Sequence, residues 1–358
     1  MNIVIKVGTQ AVLADGVLRE KELAALVGQI AALQQAGHHV ALVSSGAVGS
    51  GRRVAKELLK REYGSEIGEK QVLAALGQPE LMHAWARLFK PHGIACAQLL
   101  LTKQDFQTRQ HYLNIARVLR EIAKQKNIVP VINENDTVAI EELMFTDNDE
   151  LSGLIAAQVN AEKLVILTNV KGIYDGHPDH AGSKVIPVID PQDKGWPEVS
   201  TSKSAAGRGG MVSKLGTAKR MSTLGITTHI ASMDEKDVIN RILKGENVGT
   251  TILPARKKSN IKKWMAFTGG KQSGVINING PLFDILMQNE RVVSILPVGI
   301  ANCEGDFKKG DLIEIAAPDG RKIGVGIARY GADRLREYMG QKGKPEFIHY
   351  DQLHINAG

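Results

Sequence analysis

The stretch INENDTVAIEELMFTDNDELS, residues 132–152, crowds acidic and amide side chains between two apolar segments. NIVPVI, residues 127–132, is of strand type, and LSGLIAAQVNA, residues 151–161, has apolar residues at helical spacing. The pattern predicts a strand, a polar loop and a helix, with Asp147 capping the helix. In open α/β sheets, ligands bind at loops that follow the carboxyl ends of strands. We therefore predict that this loop binds a ligand.

Four other segments follow a related pattern, in which an apolar strand or a glycine turn leads into a helix. They are IVIKVG (3–8), HHVALVSSGAVGSG (38–51), KLVILTNVKGIYD (163–175) and GRGGMVSKLGTAKRMSTLG (207–225). Glycines at such turns let the backbone approach a ligand closely, although their spacing matches neither the Rossmann nor the Walker A pattern. The alternation of strands and helices predicts an α/β fold with a largely parallel sheet sandwiched by helices.

The pattern changes after Leu253. Short strands separated by glycine turns follow, as in SGVINING (273–280) and GDLIEIAAPDGRKIGVGIARY (310–330). Such spacing without long helices predicts a small β-rich domain at the C-terminus. A chain of 358 residues is long enough for two or three domains. We predict two, comprising residues 1–255 and residues 256–358.

Charge and cysteine content restrict the setting. The net charge is +7, and residues 256–358 hold 16 basic against 11 acidic residues, which fits nucleic-acid binding or simply solubility. Cys96 and Cys303 lie far apart and offer neither a disulfide framework nor metal-ligand spacing, which favours a reduced, cytoplasmic location. No run approaches the roughly 18 apolar residues of a membrane span, so we expect a soluble protein with no membrane partner.

Two lysines lie where a strand or a glycine turn directs them toward the predicted ligand loop. Lys6 interrupts an apolar strand, where an unpaired charge is costly to bury, and Lys214 follows the glycines of GRGG. The alternatives are a lysine that reaches water at a strand end and a solvated lysine on a helix. Phosphoryl transfer needs positive charge on the moving phosphate and backbone N–H groups at glycine turns. We therefore favour phosphate contact for both lysines.

The polar loop supplies complementary groups. Asn133, Asp136, Asn148 and the hydroxyl of Ser45 are of the types that bind the ammonium and carboxylate groups of an amino-acid substrate. Asp149 has the alternative of holding the two lysines by ion pairing. Mg²⁺ is the expected companion of a nucleotide phosphate, and the sequence leaves open whether protein carboxylates bind it directly or through water.

Six motifs stand in a characteristic order along the chain: IVIKVGT (3–9), VSSGAVGSG (43–51), LAALGQPELM (73–82), INENDTVA with DNDELS (132–152), LTNVKGIYD (167–175) and GRGGMVSK (207–214). In this order and at these separations they resemble the amino acid kinase family, and within it the branch that phosphorylates glutamate. The resemblance covers nearly all of the first 255 residues. The β-rich tail resembles the PUA domain that many bacterial members of this branch carry.

The resemblance implies a role for each matching residue. Lys6 and Lys214 would bind the ATP phosphates and stabilise the transferring group, with Asp149 ordering both lysines. A second set would bind or support glutamate: Ser45, Gly46, Asn133, Asp136, Asp147 and Asn148. A third set would contact ATP, with Gly8 and Gly46 as backbone donors: Gly8, Thr168, Asn169, Arg208, Gly209, Gly210, Met211, Val212 and Ser213. Asn169 and Arg208 stand where the family often has aspartate and threonine.

The implied reaction needs no general base, because the γ-carboxylate of glutamate is already an anion at neutral pH. It would attack the γ-phosphate of ATP and form γ-glutamyl phosphate, the first step of proline biosynthesis. The resemblance also implies proline as a feedback inhibitor, a homo-oligomer (a dimer or tetramer) and a glutamyl phosphate reductase as a partner. The loop between Thr137 and Thr146 would shape specificity and inhibition.

Two alternatives remain at this level. The first is another amino acid kinase, acting on acetylglutamate, aspartate or a nucleoside monophosphate. The second is an RNA-binding protein that uses the PUA-like tail. RNA recognition calls for aromatic or arginine platforms, but aromatic residues make up only 4% of the chain and the basic residues of the tail are dispersed. RNA is therefore the least favoured partner.

Overall fold

The computed structural model describes most of the chain. The described residues are 1–107, 109–138, 145, 147–176, 180, 182–191, 196, 210–255, 272–288 and 293–355. The chain forms two compact units. The first comprises Met1–Gln104 and Ile115–Lys258, and the second comprises Asp105–Asn114 and Ser259–Gly358. The short segment Asp105–Asn114 thus groups with the C-terminal part of the chain, although nothing in its sequence set it apart.

The described strands of the N-terminal part are β1 Asn2–Val7, β2 Leu13–Ala14, β3 Val17–Leu18, β4 His39–Val43, β5 Ala95–Leu101, β6 Ile128–Glu134, β7 Lys163–Thr168, β8 Val188–Ile189, β9 Thr227–Ser232 and β10 Thr250–Ile252. Strands β2 and β3 form a separate pair. The other eight form one sheet in the order β5-β6-β4-β1-β7-β9-β10-β8. Its neighbouring strands are parallel, apart from the antiparallel pair β9 and β10.

The helices described between these strands are α1 Thr9–Val12, α2 Glu20–Gln35, α3 Ala47–Val54, α4 Ile67–Phe89, α5 Gln104–Gln107, α6 Arg109–Ala123, α7 Asn148–Gln158, α8 Met211–Thr223 and α9 Val238–Leu243. A π-helical turn, Ala55–Leu59, continues α3. The largely parallel sheet with flanking helices confirms the predicted α/β fold. None of the helices in the described part of the chain combines the length and apolarity needed to span a membrane.

The central strand β1 explains why both faces of the sheet are covered. Successive side chains of a strand point to opposite faces. Ile3, Ile5 and Val7 point to one face and join a core with residues of α2 and α9. Val4 and Lys6 point to the other face, where α7 lies against β1. Lys6 is therefore directed at α7 from within an otherwise apolar, buried strand.

The parallel strands bring polar residues to one edge of the sheet. Strands β4, β1 and β7 are neighbours that run in the same direction, and β6 lies beside β4, so their carboxyl ends meet at this edge. Ser44 and Ser45 follow β4, Asn133 lies near the end of β6, and Thr168 ends β7. Asn148, the first residue of α7, donates a hydrogen bond to the Ser44 backbone oxygen, so α7 begins at the same edge.

Helices α3 and α4 pack unusually closely because glycine faces the partner backbone on both. A Cβ atom built at Gly51 would lie 1.8 Å from the backbone oxygen of Leu73, and one built at Gly77 would lie 1.8 Å from that of Ala47. No side chain fits at those distances. This contact fixes the position of α4 relative to the loop that follows β4, since Ala47 is the first residue of α3.

The second unit contains a five-stranded sheet in the order β12-β11-β13-β14-β15. Its strands are β11 Gly274–Ile278, β12 Ile300–Gly305, β13 Leu312–Ala316, β14 Lys322–Ile327 and β15 Leu353–Ile355, accompanied by the helices α10 Gly280–Gln288 and α11 Ala332–Tyr338. The Phe347 ring lies 5.6 Å from that of Phe307 and 5.3 Å from that of Tyr330, in the core of this unit. The predicted β-rich character of the C-terminal part is confirmed.

The α3–α4 contact predicts the effect of adding one methyl group. We expect Gly77→Ala to lower the free energy of unfolding by about 1–3 kcal/mol, because the Cβ atom forces the two helix backbones apart. Urea unfolding followed by circular dichroism measures this change. Gly68→Ala on the same helix is the matched control, because its Cβ would meet nothing within 4 Å. An unfolding free energy for Gly77→Ala equal to that of the wild-type protein would contradict the packing argument.

Candidate active site

The centre of the candidate site is an aspartate held between two lysines. Lys6 on β1 places its Nζ 2.6 Å from Asp149 Oδ1, and Lys214 on α8 places its Nζ 3.0 Å from Asp149 Oδ2. The Asp149 side chain is completely buried, and both lysines are more than nine-tenths buried. Three elements that are far apart in sequence therefore meet at one carboxylate, and together these side chains carry a net charge of +1.

This arrangement controls the ionisation of the aspartate. Burial alone would raise the pKa of Asp149, but the ammonium groups of Lys6 and Lys214 hold that pKa below its ordinary value. The carboxylate therefore stays ionised at neutral pH and keeps two positive charges next to each other in the protein interior. Without it, two buried ammonium groups would repel each other. The remaining positive charge suits an anionic ligand.

Asp147 caps α7, as predicted from the sequence. Its Oδ1 atom accepts hydrogen bonds from the backbone N–H groups of Asp149 at 2.8 Å and Glu150 at 3.2 Å. These donors stabilise the carboxylate, whereas burial and the neighbouring Asp149 raise the pKa of Asp147. Its Oδ2 atom is buried and has no hydrogen-bond partner among the described residues. One acceptor of the cap is therefore available to a ligand or water.

Asn148 gathers the groups predicted to bind the substrate. Its Nδ2 atom donates toward the Ser44 backbone oxygen at 2.8 Å, the Ser45 Oγ at 3.0 Å and the Asn133 Oδ1 at 2.8 Å. Its own Oδ1 atom is buried and accepts no hydrogen bond within the described part of the chain. The structure thus brings Ser45, Asn133 and Asn148 together and leaves one amide oxygen uncommitted.

The two glycine turns behave differently from each other. Gly46 has φ +105°, a conformation that favours glycine, and it begins α3 with no side chain to cap the helix. The N–H of Gly8, in contrast, donates to the Leu167 backbone oxygen at 3.0 Å. The Gly8 N–H is thus already engaged by β7 in this structure, and its role as a backbone donor to phosphate stays a prediction. A Cβ at Gly8 would lie at an ordinary contact distance, 3.5 Å, from Lys6 Nζ.

The residues predicted to contact the nucleotide lie on two elements. Thr168 ends β7 and donates its hydroxyl to Asn169 Oδ1 at 3.2 Å. Gly210 is the N-cap of α8, and the first turn of that helix holds Met211, Val212, Ser213 and Lys214, of which Val212 is half exposed. Arg208 and Gly209 lie outside the described residues.

Asp136 follows β6 in a partly buried turn. Most of the loop between Thr137 and Thr146 falls outside the described part of the chain. Sequence reasoning missed Gln78, which is buried on α4 and accepts a hydrogen bond from Asn133 Nδ2 at 2.8 Å. The sequence offered only a glutamine directly after a glycine within LAALGQPELM, and the close helix packing that brings it to Asn133 is visible in the structure alone.

Comparison with known proteins shows the family to which the chain is similar. Residues 1–232 match the amino acid kinase family, and residues 288–345 match the PUA domain. A glutamate 5-kinase from Chlorobaculum tepidum is 44% identical over 355 residues, covering 99% of this chain and 97% of that protein. A glutamate 5-kinase from Bacteroides thetaiotaomicron is 40% identical over 357 residues, covering 99% of this chain and 98% of that protein.

A third relative, a glutamate 5-kinase from Deinococcus radiodurans, is 38% identical and covers 96% of this chain and 94% of that protein. The similarity thus extends through both the kinase part and the C-terminal part of all three relatives. These matches confirm the resemblance inferred from the motifs. The chain therefore belongs to the amino acid kinase family.

Proposed function

We propose that this protein transfers the γ-phosphate of ATP to the γ-carboxylate of L-glutamate, giving γ-glutamyl phosphate and ADP. The observation that carries the proposal is the buried Lys6–Asp149–Lys214 cluster directly beside the Asn148 amide. The full-length similarity to glutamate 5-kinases supports the choice of glutamate over acetylglutamate, aspartate or a nucleotide as acceptor.

The lysine cluster suits phosphoryl transfer. The transferring phosphoryl group spreads negative charge over its equatorial oxygens and requires positioning and electrostatic stabilisation more than covalent chemistry. Lys6 and Lys214 supply two ammonium groups that Asp149 holds in place before any ligand arrives. Donors that are fixed in advance cost no reorganisation during the reaction, and they act strongly where water is excluded. We assign the transferring phosphate to the space beside the two Nζ atoms.

The Asn148 region suits the α-amino and carboxylate groups of glutamate. Nδ2 donates toward the Ser44 backbone oxygen, the Asn133 Oδ1 and the Ser45 Oγ. Because an amide NH2 group donates and does not accept, the Ser45 hydroxyl keeps its proton for a substrate carboxylate. The uncommitted Asn148 Oδ1 is an acceptor for the substrate ammonium, and we assign Asp136 to the same ammonium.

The reaction proceeds without a protein base. The side-chain carboxyl of free glutamate has a pKa near 4.3, so it is ionised at neutral pH. One of its oxygens forms a bond to the γ-phosphorus as the bond from that phosphorus to the bridging oxygen of ADP breaks. The leaving oxygen takes the electron pair, and no proton needs to move. Asp149 is therefore assigned to ordering Lys6 and Lys214 and not to proton transfer.

Mg²⁺ fits this site as an ion bound mainly by ATP phosphates and water. The described residues contain no cluster of three metal-ligating side chains, whereas Mg²⁺ at nucleotide sites keeps several waters and takes only one or two carboxylates. The buried Asp147 Oδ2, which lacks a partner among the described residues, is suited to accept from a water of the ion. The ion would supply charge neutralisation on the β- and γ-phosphates.

The remaining assignments follow from the family. We assign ATP binding to Thr168, Asn169 and the start of α8, and the first step of proline biosynthesis to the reaction. Proline as feedback inhibitor, a homo-oligomeric state, and transfer of the labile product to a glutamyl phosphate reductase belong to the same proposal. The cytoplasm is the proposed location.

An acyl phosphate trap tests the proposed reaction. Purified protein is incubated with ATP, Mg²⁺ and hydroxylamine together with glutamate, acetylglutamate or aspartate, and the hydroxamate is measured. We expect hydroxamate from glutamate at a rate at least about tenfold above that from either competitor, because the site presents an acceptor to a free ammonium. Faster product formation from acetylglutamate, or none from glutamate, would refute the choice of substrate.

Removing the charge of Asp149 tests the role of the cluster in catalysis. We expect Asp149→Asn to lower kcat by about 100-fold or more, because Lys6 and Lys214 lose the anion that fixes both ammonium groups. Steady-state kinetics with saturating glutamate measure this. Asp234→Asn is a matched control, since Asp234 pairs with Arg19 at the surface, and it should leave kcat unchanged. An Asp149→Asn protein with wild-type kcat would exclude the proposed ordering role.

The same variant predicts a change in stability that depends on pH. Leaving two buried cations without their anion should lower the free energy of unfolding by about 3–5 kcal/mol at pH 7. Since the folded protein lowers the pKa of Asp149, its contribution is present above the unfolded-state pKa of about 3.9 and is lost at lower pH. Urea unfolding at several pH values should therefore show that the difference in free energy of unfolding between the wild-type protein and Asp149→Asn becomes smaller below about pH 4. A difference that stays constant with pH would contradict a stabilising role for the ionised Asp149 carboxylate.

A further inference from the structure

Helix α4 carries two polar side chains, Gln78 and Trp85, that form hydrogen bonds with residues of the candidate active site. Gln78 and Trp85 are seven residues apart, which places them two turns apart on one face of the helix. Both side chains are buried, and the Trp85 side chain is completely so. Neither residue belongs to the lysine cluster or to the polar loop. Their polar atoms are directed at residues that surround the Asn148 amide.

Each of the two groups holds one acceptor of the Asn148 amide. Gln78 Oε1 accepts from Asn133 Nδ2 at 2.8 Å, which directs Asn133 Oδ1 toward Asn148. The Trp85 indole N–H donates to Ser44 Oγ at 3.0 Å, and the backbone oxygen of the same Ser44 accepts from Asn148. Two of the three acceptors around Asn148 Nδ2, all but the Ser45 Oγ, are therefore linked to α4, one through Gln78 and the other through Trp85.

This network permits only one orientation of the Asn148 amide. Turning the amide over would place its oxygen 2.8 Å from two other acceptors, the Ser44 backbone oxygen and the Asn133 Oδ1. No proton would lie between these oxygens, so they would repel each other. Asn133 is held at both ends of its amide, because its Oδ1 also accepts from the backbone N–H of Glu134 at 2.9 Å and its Nδ2 donates to Gln78 Oε1 at 2.8 Å. The buried Asn148 Oδ1 is therefore always presented on the side without protein partners among the described residues.

The position of α4 depends on the glycine directly before Gln78. Gly77 allows the helix to approach within contact distance of the Ala47 backbone oxygen. A helix farther away would take Gln78 out of reach of Asn133. The motif LAALGQPELM, residues 73–82, thus combines a close packing residue with a polar residue that uses the resulting proximity.

We propose that Gln78 is a positioning residue: by fixing Asn133, it holds the Asn148 oxygen toward the substrate and so determines how strongly the α-ammonium of glutamate is recognised. The inference rests on the proposed function. It assigns Gln78 to one part of the substrate, since the hydrogen-bond path leads from Gln78 through Asn133 to Asn148 and not to the lysine cluster. We expect Gln78 to have no effect on ATP binding or on phosphoryl transfer.

Glutarate, which is glutamate without the α-amino group, separates this role from a general structural one. We expect Gln78→Met, which keeps a similar shape and removes the acceptor, to lower kcat/KM for glutamate by about tenfold. The same variant should leave kcat/KM for glutarate and the KM for ATP unchanged. The ratio of the two kcat/KM values, glutamate over glutarate, should therefore fall by about tenfold. Hydroxamate formation at a series of substrate concentrations measures both values.

Three further variants complete the experiment. Gln78→Leu removes the same acceptor with a different shape and should lower the ratio equally. Gln78→Glu keeps an oxygen acceptor and should preserve the wild-type ratio. Met82→Leu, a partly buried apolar position on the same helix, controls for altered packing of α4 and should also preserve the ratio.

Two outcomes would overturn the inference. The first is an equal loss of activity toward glutamate and glutarate in Gln78→Met and Gln78→Leu, which means that Gln78 only supports the fold. The second is a tenfold fall in the ratio of kcat/KM for glutamate to kcat/KM for glutarate in Gln78→Glu. This result would overturn the inference even when Gln78→Met and Gln78→Leu do not fold. Failure of the proposed function is a separate result, since wild-type protein would then form no hydroxamate from glutamate.

Discussion

The ion pairs of Asp149 with Lys6 and Lys214 are the interaction on which the rest of the site depends. A fully buried carboxylate is tolerable only because two ammonium groups surround it, and the two ammonium groups are tolerable only because of the carboxylate. The cluster also joins β1, α7 and α8. The group that orders the reactive cations is therefore the same group that holds three elements of the fold at one point.

The sheet explains how such a cluster forms from distant segments. Parallel strands direct their carboxyl ends to one edge, where Ser45, Asn133 and Thr168 follow or end their strands. Helix α7 begins at that edge with Asp147 as its cap, and the Asn148 amide bonds to residues at the ends of β4 and β6. The residues proposed for phosphate binding and for substrate recognition thus lie at one helix start, on adjacent residues that face different partners.

The sequence predicted the components of this site more completely than their connections. A lysine inside an apolar strand and a dense polar loop are local signals, so Lys6 and the region of Asn148 could be identified from spacing and residue type. The contact made by the Gly8 N–H and the role of Gln78 were not predicted for the same reason, because both depend on tertiary neighbours. The N–H of Gly8 is used by β7, and the partner of Gln78 lies 55 positions along the chain. A sequence motif shows neither which strand accepts from the Gly8 N–H nor how closely α4 approaches Asn133.

The alternation of β1 has a further consequence for folding. If β1 paired with its neighbours one residue out of register, every side chain would exchange faces. Lys6 would then enter the apolar core between the sheet and the helices α2 and α9, away from Asp149, at the cost of burying an unpaired cation. The residue proposed to handle phosphate therefore also discriminates against misaligned strands, so selection for activity and selection for a single native topology act on the same lysine.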